Sequence, residues 1–200
     1  MECSVLIKNN KKSDILLVSF SGYDLRVKKV SPFIFVNLFE KHFQDLDQYF
    51  FNDIHRASYH KGIEGISTTI DETVEYLKNV IRPYKRVIFV GVCSGGYAAI
   101  LLGSLLNVNT VLAFIPQTHR RAIDIDEKYR DSIPYMNTTT KYVIYGDLSV
   151  KNPVDPHHIS HCDRIANQLN TTVIRKDIII FKKLKEDGEL FTILYNIIYN

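Results

Sequence analysis

Arg86-Val-Ile-Phe-Val-Gly91-Val-Cys93-Ser94-Gly95-Gly96-Tyr-Ala-Ala99 is the stretch whose reading decides the fold. A β-rich apolar run ends at Gly91, Cys93 follows two residues later, and an almost wholly apolar helical pattern opens at Gly96. A strand that enters a helix through so short a bend forces the apex residue into strained backbone angles, so the residues two positions away must lack bulk. Gly91 and Gly95 meet that demand on either side of Cys93. The pattern is small-x-nucleophile-x-small: Cys93 takes the nucleophile position and Ser94 supplies a backbone N–H for an oxyanion. Other Gly-rich readings fail. There is no G-x-G-x-x-G for a dinucleotide, Tyr97 stands where a phosphate-binding loop needs Lys, and Ala99 stands where a cysteine phosphatase needs Arg. The bland alternative is a close-packed turn around an inert buried thiol.

Outward from this bend the chain alternates. Short runs rich in Val, Ile, Phe and Tyr predict strands at 15–20, 48–52, 86–91, 110–115, 142–146 and 171–175, with 4–8 as an added edge strand. Between them, Thr69-x-x-Glu72 reads as a capping box that opens a helix carrying Ile70, Val74, Leu77 and Ile81 on one face and closing at Pro83. Residues 96–106 form a helix apolar all round, hence buried. Further helices are expected at 33–42, 158–169 and 189–198. Strands alternating with helices imply an α/β fold: a mostly parallel sheet covered on both faces, with the ligand site at the C-terminal strand ends.

Composition narrows the field. Two hundred residues, 46% of them hydrophobic, suit one domain over 1–200 with a real core. The formal charge of +3, without a Lys/Arg cluster beyond pairs such as Lys28-Lys29, gives no reason to expect nucleic acid or an anionic membrane as partner. No apolar run reaches the roughly 18 residues that span a bilayer, and Glu2 with Lys8, Lys11 and Lys12 is wrong for a signal peptide. Cys3, Cys93 and Cys162 are odd in number and widely spaced. They read as reduced thiols of a cytoplasmic protein, with neither a disulfide frame nor a metal site, and no cofactor is expected.

The elbow resembles that of the α/β-hydrolase fold family. A closer likeness is to small members with a Gly-x-Ser-x-Gly-Gly-Tyr-Ala-Ala elbow and a following strand that ends Ala-Phe-x-Pro-Gln-Thr, here Ala113-Phe-Ile-Pro-Gln-Thr118. The resemblance implies esterase or O-acetyltransferase chemistry on a small acyl ester or acetylated sugar. It also implies the order nucleophile, acid, His. Two departures stand out: Cys93 replaces the usual Ser, and no His follows the last strand, where Ile178 occupies the matching place.

A base must then come from elsewhere. The strand at 141–146 ends at Asp147, and Asp155-Pro-His-His158 follows, so both aspartates are candidate acids. Family members tend to place the acid three residues before a His, which favours Asp155 with His158. Asp155 also suits a helix cap, with Pro156 at the first helical position. His119 rivals His158 as base, while His157 and His161 fall in the same region, and His42, His55 and His60 carry no assigned role. The loop after the first central strand, Ser19-Phe-Ser21-Gly22-Tyr23, offers the second oxyanion amide from Ser21 or Gly22. Asp53 and Tyr59 are placed near the pocket by position alone. Two functions follow: acyl transfer through a Cys93 thioester, or a catalytically impaired fold that binds a ligand or partner without turnover. The oligomeric state and the acyl group are not written in the sequence.

Overall fold

The computed structural model describes residues 3–9, 13–22, 33–120, 125–177, 184 and 188–200. Ile178 and Tyr23 lie outside them. The elements in chain order are β1 (Val5–Lys8), β2 (Ile15–Ser21), α1 (Val36–His42), β3 (Asp47–Asn52), α2 (Ile70–Ile81), β4 (Arg86–Val92), α3 (Ser94–Leu105), β5 (Thr110–Phe114), β6 (Lys141–Asp147), α4 (Ser160–Asp163), β7 (Thr171–Lys176) and α5 (Glu189–Tyr199).

The seven strands form one sheet in the order β1-β3-β2-β4-β5-β6-β7. Only β1 runs antiparallel, pairing with β3. From β2 the chain goes to β3 on one side, then returns to lay β4 on the other. The C-terminal ends of β2 and β4 therefore flank a point where the winding reverses, the place where open α/β sheets bind ligands.

Alternation along the strands divides the core. Leu16, Val18 and Phe20 of β2 face one layer, with Ile70 and Leu77 of α2 and the apolar residues of α3. Leu17 of β2 faces the other, with Val36 and Phe39 of α1 and Leu190, Leu194 and Ile198 of α5. Helix α3 is buried from Ser94 to Ser104, which explains its all-round apolar composition. Its approach to the sheet is too close for side chains at the bend. A Cβ on Gly91 would lie 2.1 Å from the Gly95 carbonyl oxygen.

The capping box differs in one detail. Thr69 Oγ1 accepts the Glu72 N–H at 3.1 Å, but the Glu72 carboxylate reaches back to the N–H of Thr68, at 2.7 Å, one residue beyond the cap. The expected helix at 158–169 shortens to α4. Beyond it the backbone bonds run three residues back, Ile165 N–H to Cys162 O and Gln168 N–H to Ile165 O. These tighter turns set Cys162 and Ile165, three apart, together in the core. Among the described residues, no helix is long and apolar enough to cross a membrane, and no group of three or more His, Cys, Asp or Glu side chains is poised around a metal.

Candidate active site

Cys93 sits at the apex between β4 and α3 with φ 56° and ψ −121°, a positive-φ conformation that few non-glycine residues adopt. The surrounding structure holds it there. Its N–H donates to Phe114 O at 3.0 Å, and its carbonyl accepts the Tyr97 N–H at 3.1 Å. The side chain thus stands at the positive end of α3, whose first-turn amides point out of the helix toward it. Gly22, just past β2, lies against the same bend. A Cβ there would be 2.3 Å from Val92 O and 3.0 Å from the Cys93 Cβ, so only glycine lets this backbone come so near.

The loop after β6 supplies the polar partners. Asp155 and His157 sit in one tight turn, in which Asp155 O accepts the His158 N–H at 3.0 Å. Asp155 Oδ1 accepts the His157 backbone N–H at 2.8 Å and lies 3.1 Å from His157 Nδ1. The other ring nitrogen, Nε2, lies 2.9 Å from Cys93 Sγ. A carboxylate only accepts, so Nδ1 carries the ring proton and Nε2 is left to take one from the thiol. The His157 side chain is 11% exposed and that of Asp155 29%, so the pair is shielded without being sealed.

These positions revise several expectations. The imidazole at the thiol belongs to His157, not His158. His158 turns away, with Nδ1 2.9 Å from Ser160 Oγ and accepting the Ser160 N–H at 3.2 Å. The reason is local: the Asx turn closed by Asp155 directs residue 157 into the cleft, while residue 158 bridges to Asp147 through its backbone. His119 lines the cleft but is not hydrogen-bonded to the sulfur; its backbone bridges Asp131. Of the two aspartates, Asp147 is spent on Ser149, accepting from its N–H at 2.8 Å and its hydroxyl at 2.6 Å. No helix begins at Pro156, so Asp155 caps a turn rather than a helix.

Ser94 lines the cleft beside Cys93. The Ser21 hydroxyl accepts the Ile34 N–H at 3.3 Å, and its carbonyl accepts from Tyr59 Oη at 3.0 Å, so the Gly22 backbone is the part of this loop that faces the bend. Asp53 and Tyr59 do not line the cleft. Asp53 Oδ2 accepts the Tyr59 N–H at 3.1 Å, and burial pushes its carboxyl above the ordinary value. The two residues brace β2 and β3 from behind.

The cleft itself holds about 600 Å³. Gln117, three residues beyond β5 in the Pro-Gln-Thr segment, donates Nε2–H toward Cys93 Sγ at 3.5 Å, a contact that the sequence alone does not reveal. Arg120 also lines the cleft, and burial lowers its guanidinium below the usual range. Cys162 offers a contrast: burial pushes its thiol up to about 12, leaving it protonated and unreactive at neutral pH.

No family model matches the chain, and no curated protein matches its sequence. Solved structures do match in fold. A capsule O-acetyltransferase of Neisseria meningitidis serogroup A, an H228A mutant in complex with CoA, superposes with a TM-score of 0.66 at 14% identity, over 95% of this chain and 90% of that one. An alpha-beta serine hydrolase homologue from Coxiella burnetii gives 0.55 at 14% identity, over 93% and 88%. A chain of the glycosylation-associated Gap123 complex from Streptococcus agalactiae gives 0.61 at 12% identity, over 96% of this chain; this chain spans only 43% of that one. The protein has the α/β-hydrolase fold.

Proposed function

We propose that this protein is an acyl-transfer enzyme, an ester hydrolase or O-acyltransferase, working through a thioester on Cys93. The observation that carries the reading is the aligned set Cys93 Sγ, His157 and Asp155, with separations of 2.9 and 3.1 Å at the apex of a strained strand–helix bend. In the first half-reaction His157 Nε2 takes the thiol proton as the sulfur attacks the carbonyl carbon of the ester. The oxyanion so formed is received by the Ser94 amide, with the Gly22 amide as second donor. Collapse breaks the ester C–O bond, and the departing alkoxide takes the proton from His157. In the second half, water or an acceptor hydroxyl gives its proton to His157, attacks the thioester and restores the thiol. Asp155 fixes the ring tautomer and stabilises the imidazolium.

The substrate class is a small acyl ester, with an acetylated sugar as the form favoured by the fold of the capsule O-acetyltransferase. Hydrolysis of an activated acetyl ester by the wild type, Cys93→Ala, Ser94→Ala, His157→Ala and His158→Ala tests this. A burst that vanishes with Cys93→Ala and His157→Ala and survives His158→Ala is expected. Equal traces for all five proteins overturn catalysis and leave a binding module; loss with Ser94→Ala alone moves the nucleophile by one residue.

A further inference from the structure

The cleft around Cys93 is one-signed. Arg56, Arg120 and Arg164 line it together with His119, His157 and His161, and no Asp or Glu does so among the described residues. Arg164 is already engaged, its Nη2 2.6 Å from Asp131 Oδ2 and its Nη1 donating to Thr118 Oγ1 at 3.2 Å. Arg120 is different. Its backbone is pinned to Arg130, which accepts the Arg120 N–H at 2.9 Å and donates Nη1–H to the Arg120 carbonyl at 2.9 Å. Its side-chain Nε, however, is buried with no hydrogen-bond partner among the described residues. A buried guanidinium donor without an acceptor is costly, so a side chain kept in that state at the wall of the cleft gains when an entering ligand brings an acceptor to it.

The thiolate form of Cys93 is the foremost favourable charge felt by Arg120, which places the guanidinium within electrostatic reach of the reacting centre.

We propose that the substrate of this site carries an anionic group, carboxylate or phosphate, close to its reacting carbonyl, and that Arg120 receives it. The proposal rests on the reading of Cys93 as nucleophile, and it names the substrate class which that reading leaves open. A guanidinium binds either group through paired N–H donors, with selectivity over a neutral ester of the same size.

Alkylation of Cys93 by iodoacetate and by iodoacetamide compares an anionic with a neutral electrophile in one reaction. In each, the S–CH2 bond forms, the C–I bond breaks, iodide leaves and the thiol proton passes to His157. Peptide mass spectrometry separates Cys93 from Cys3 and Cys162. Dividing the two rates cancels any general change in thiol reactivity, so the ratio reports recognition of charge. A wild-type ratio at least tenfold above that of the unfolded protein's thiol, falling about tenfold in Arg120→Gln and kept in part by Arg120→Lys, supports the proposal. A ratio no higher than that of the unfolded thiol, or one unchanged in Arg120→Gln, overturns it.

Thermal unfolding with inorganic phosphate or succinate reads the same site without thiol chemistry. Stabilisation of the wild type that is absent in Arg120→Gln supports the proposal, and the more effective anion tells phosphate from carboxylate. Equal response of the two proteins overturns it. Failure of both alkylating reagents at Cys93, with anion stabilisation intact, counts against the nucleophile and not against the anion site.

Discussion

At Cys93, backbone strain and side-chain chemistry coincide. A residue held at φ 56° and ψ −121° costs on the order of 1–3 kcal/mol, and such positions persist where neighbouring bonds over-determine them. Here those bonds run to Phe114 and Tyr97. The neighbouring histidines make a controlled comparison, being adjacent in sequence and opposite in direction. Replacing His157 by Ala is expected to lower kcat/KM for an activated ester by roughly 10²–10⁴, the usual worth of general acid–base help. His158→Ala should change it by less than about threefold, since that ring bonds Ser160. Stopped-flow ester hydrolysis checks both. Gly22→Ala is a steric prediction at the same site: the new methyl would stand 2.3 Å from Val92 O, so the bend or the loop must shift. Lower thermal stability together with slower Cys93 alkylation is the expected pair of results. Wild-type behaviour in both would show that the loop is not pressed against the bend.

At the scale of elements, much could be read beforehand because each signal is local. The capped helix α2, the apolar α3 and the parallel strands carry their pattern in consecutive residues, and the bend at Gly91–Gly95 follows from spacing alone. Thr69→Ala removes the bond to the Glu72 N–H and should cost about 1 kcal/mol of stability in denaturant unfolding. Which imidazole stands at the thiol was harder to read. Which of His157 and His158 turns inward depends on an Asx turn two or three residues long, closed by the very carboxylate that orients the ring. The resemblance led to a His three residues after Asp155, whereas the ring beside that carboxylate is two residues on. Gln117 and Arg120 could not be assigned from sequence either, because their place comes from burial at the cleft that Cys93 lines rather than from neighbours in the chain. Helix α4 was overestimated for a related reason: spacing of three fits both a helix face and a run of tighter turns.

At the scale of the whole molecule, the sheet order brings four strand ends to one edge, where β2 gives Gly22, β4 gives Cys93, β5 leads to Gln117 and the β6 loop gives Asp155 and His157. Behind this edge, His60 ties the helical layer to the segment from Asp126 to Tyr129. Its Nδ1 accepts the Asp126 N–H at 3.2 Å and its Nε2 lies 3.0 Å from the Tyr97 hydroxyl, which in turn donates to Tyr129 O. Burial, reinforced by the Arg120 charge, holds this imidazole at about 4 against an ordinary 6.5. The unfolded chain therefore gains a proton near pH 6.5 while the folded protein stays neutral. The contribution is complete above pH 6.5 and is lost as pH falls toward 4, amounting to at most about 3 kcal/mol. Subtracting the stability profile of His60→Gln from that of the wild type isolates it, and a difference flat between pH 4 and 6.5 would contradict the assignment. The central claim, an acyl group carried on residue 93, is met most directly by acid-quenching the protein with an activated acetyl ester and mapping the adduct by peptide mass spectrometry. The account predicts a single acetyl group on Cys93, labile to hydroxylamine at neutral pH as a thioester is, and absent when His157 is replaced by Ala. Acetylation of Ser94 instead, or none on either residue while the ester is still consumed, would contradict it.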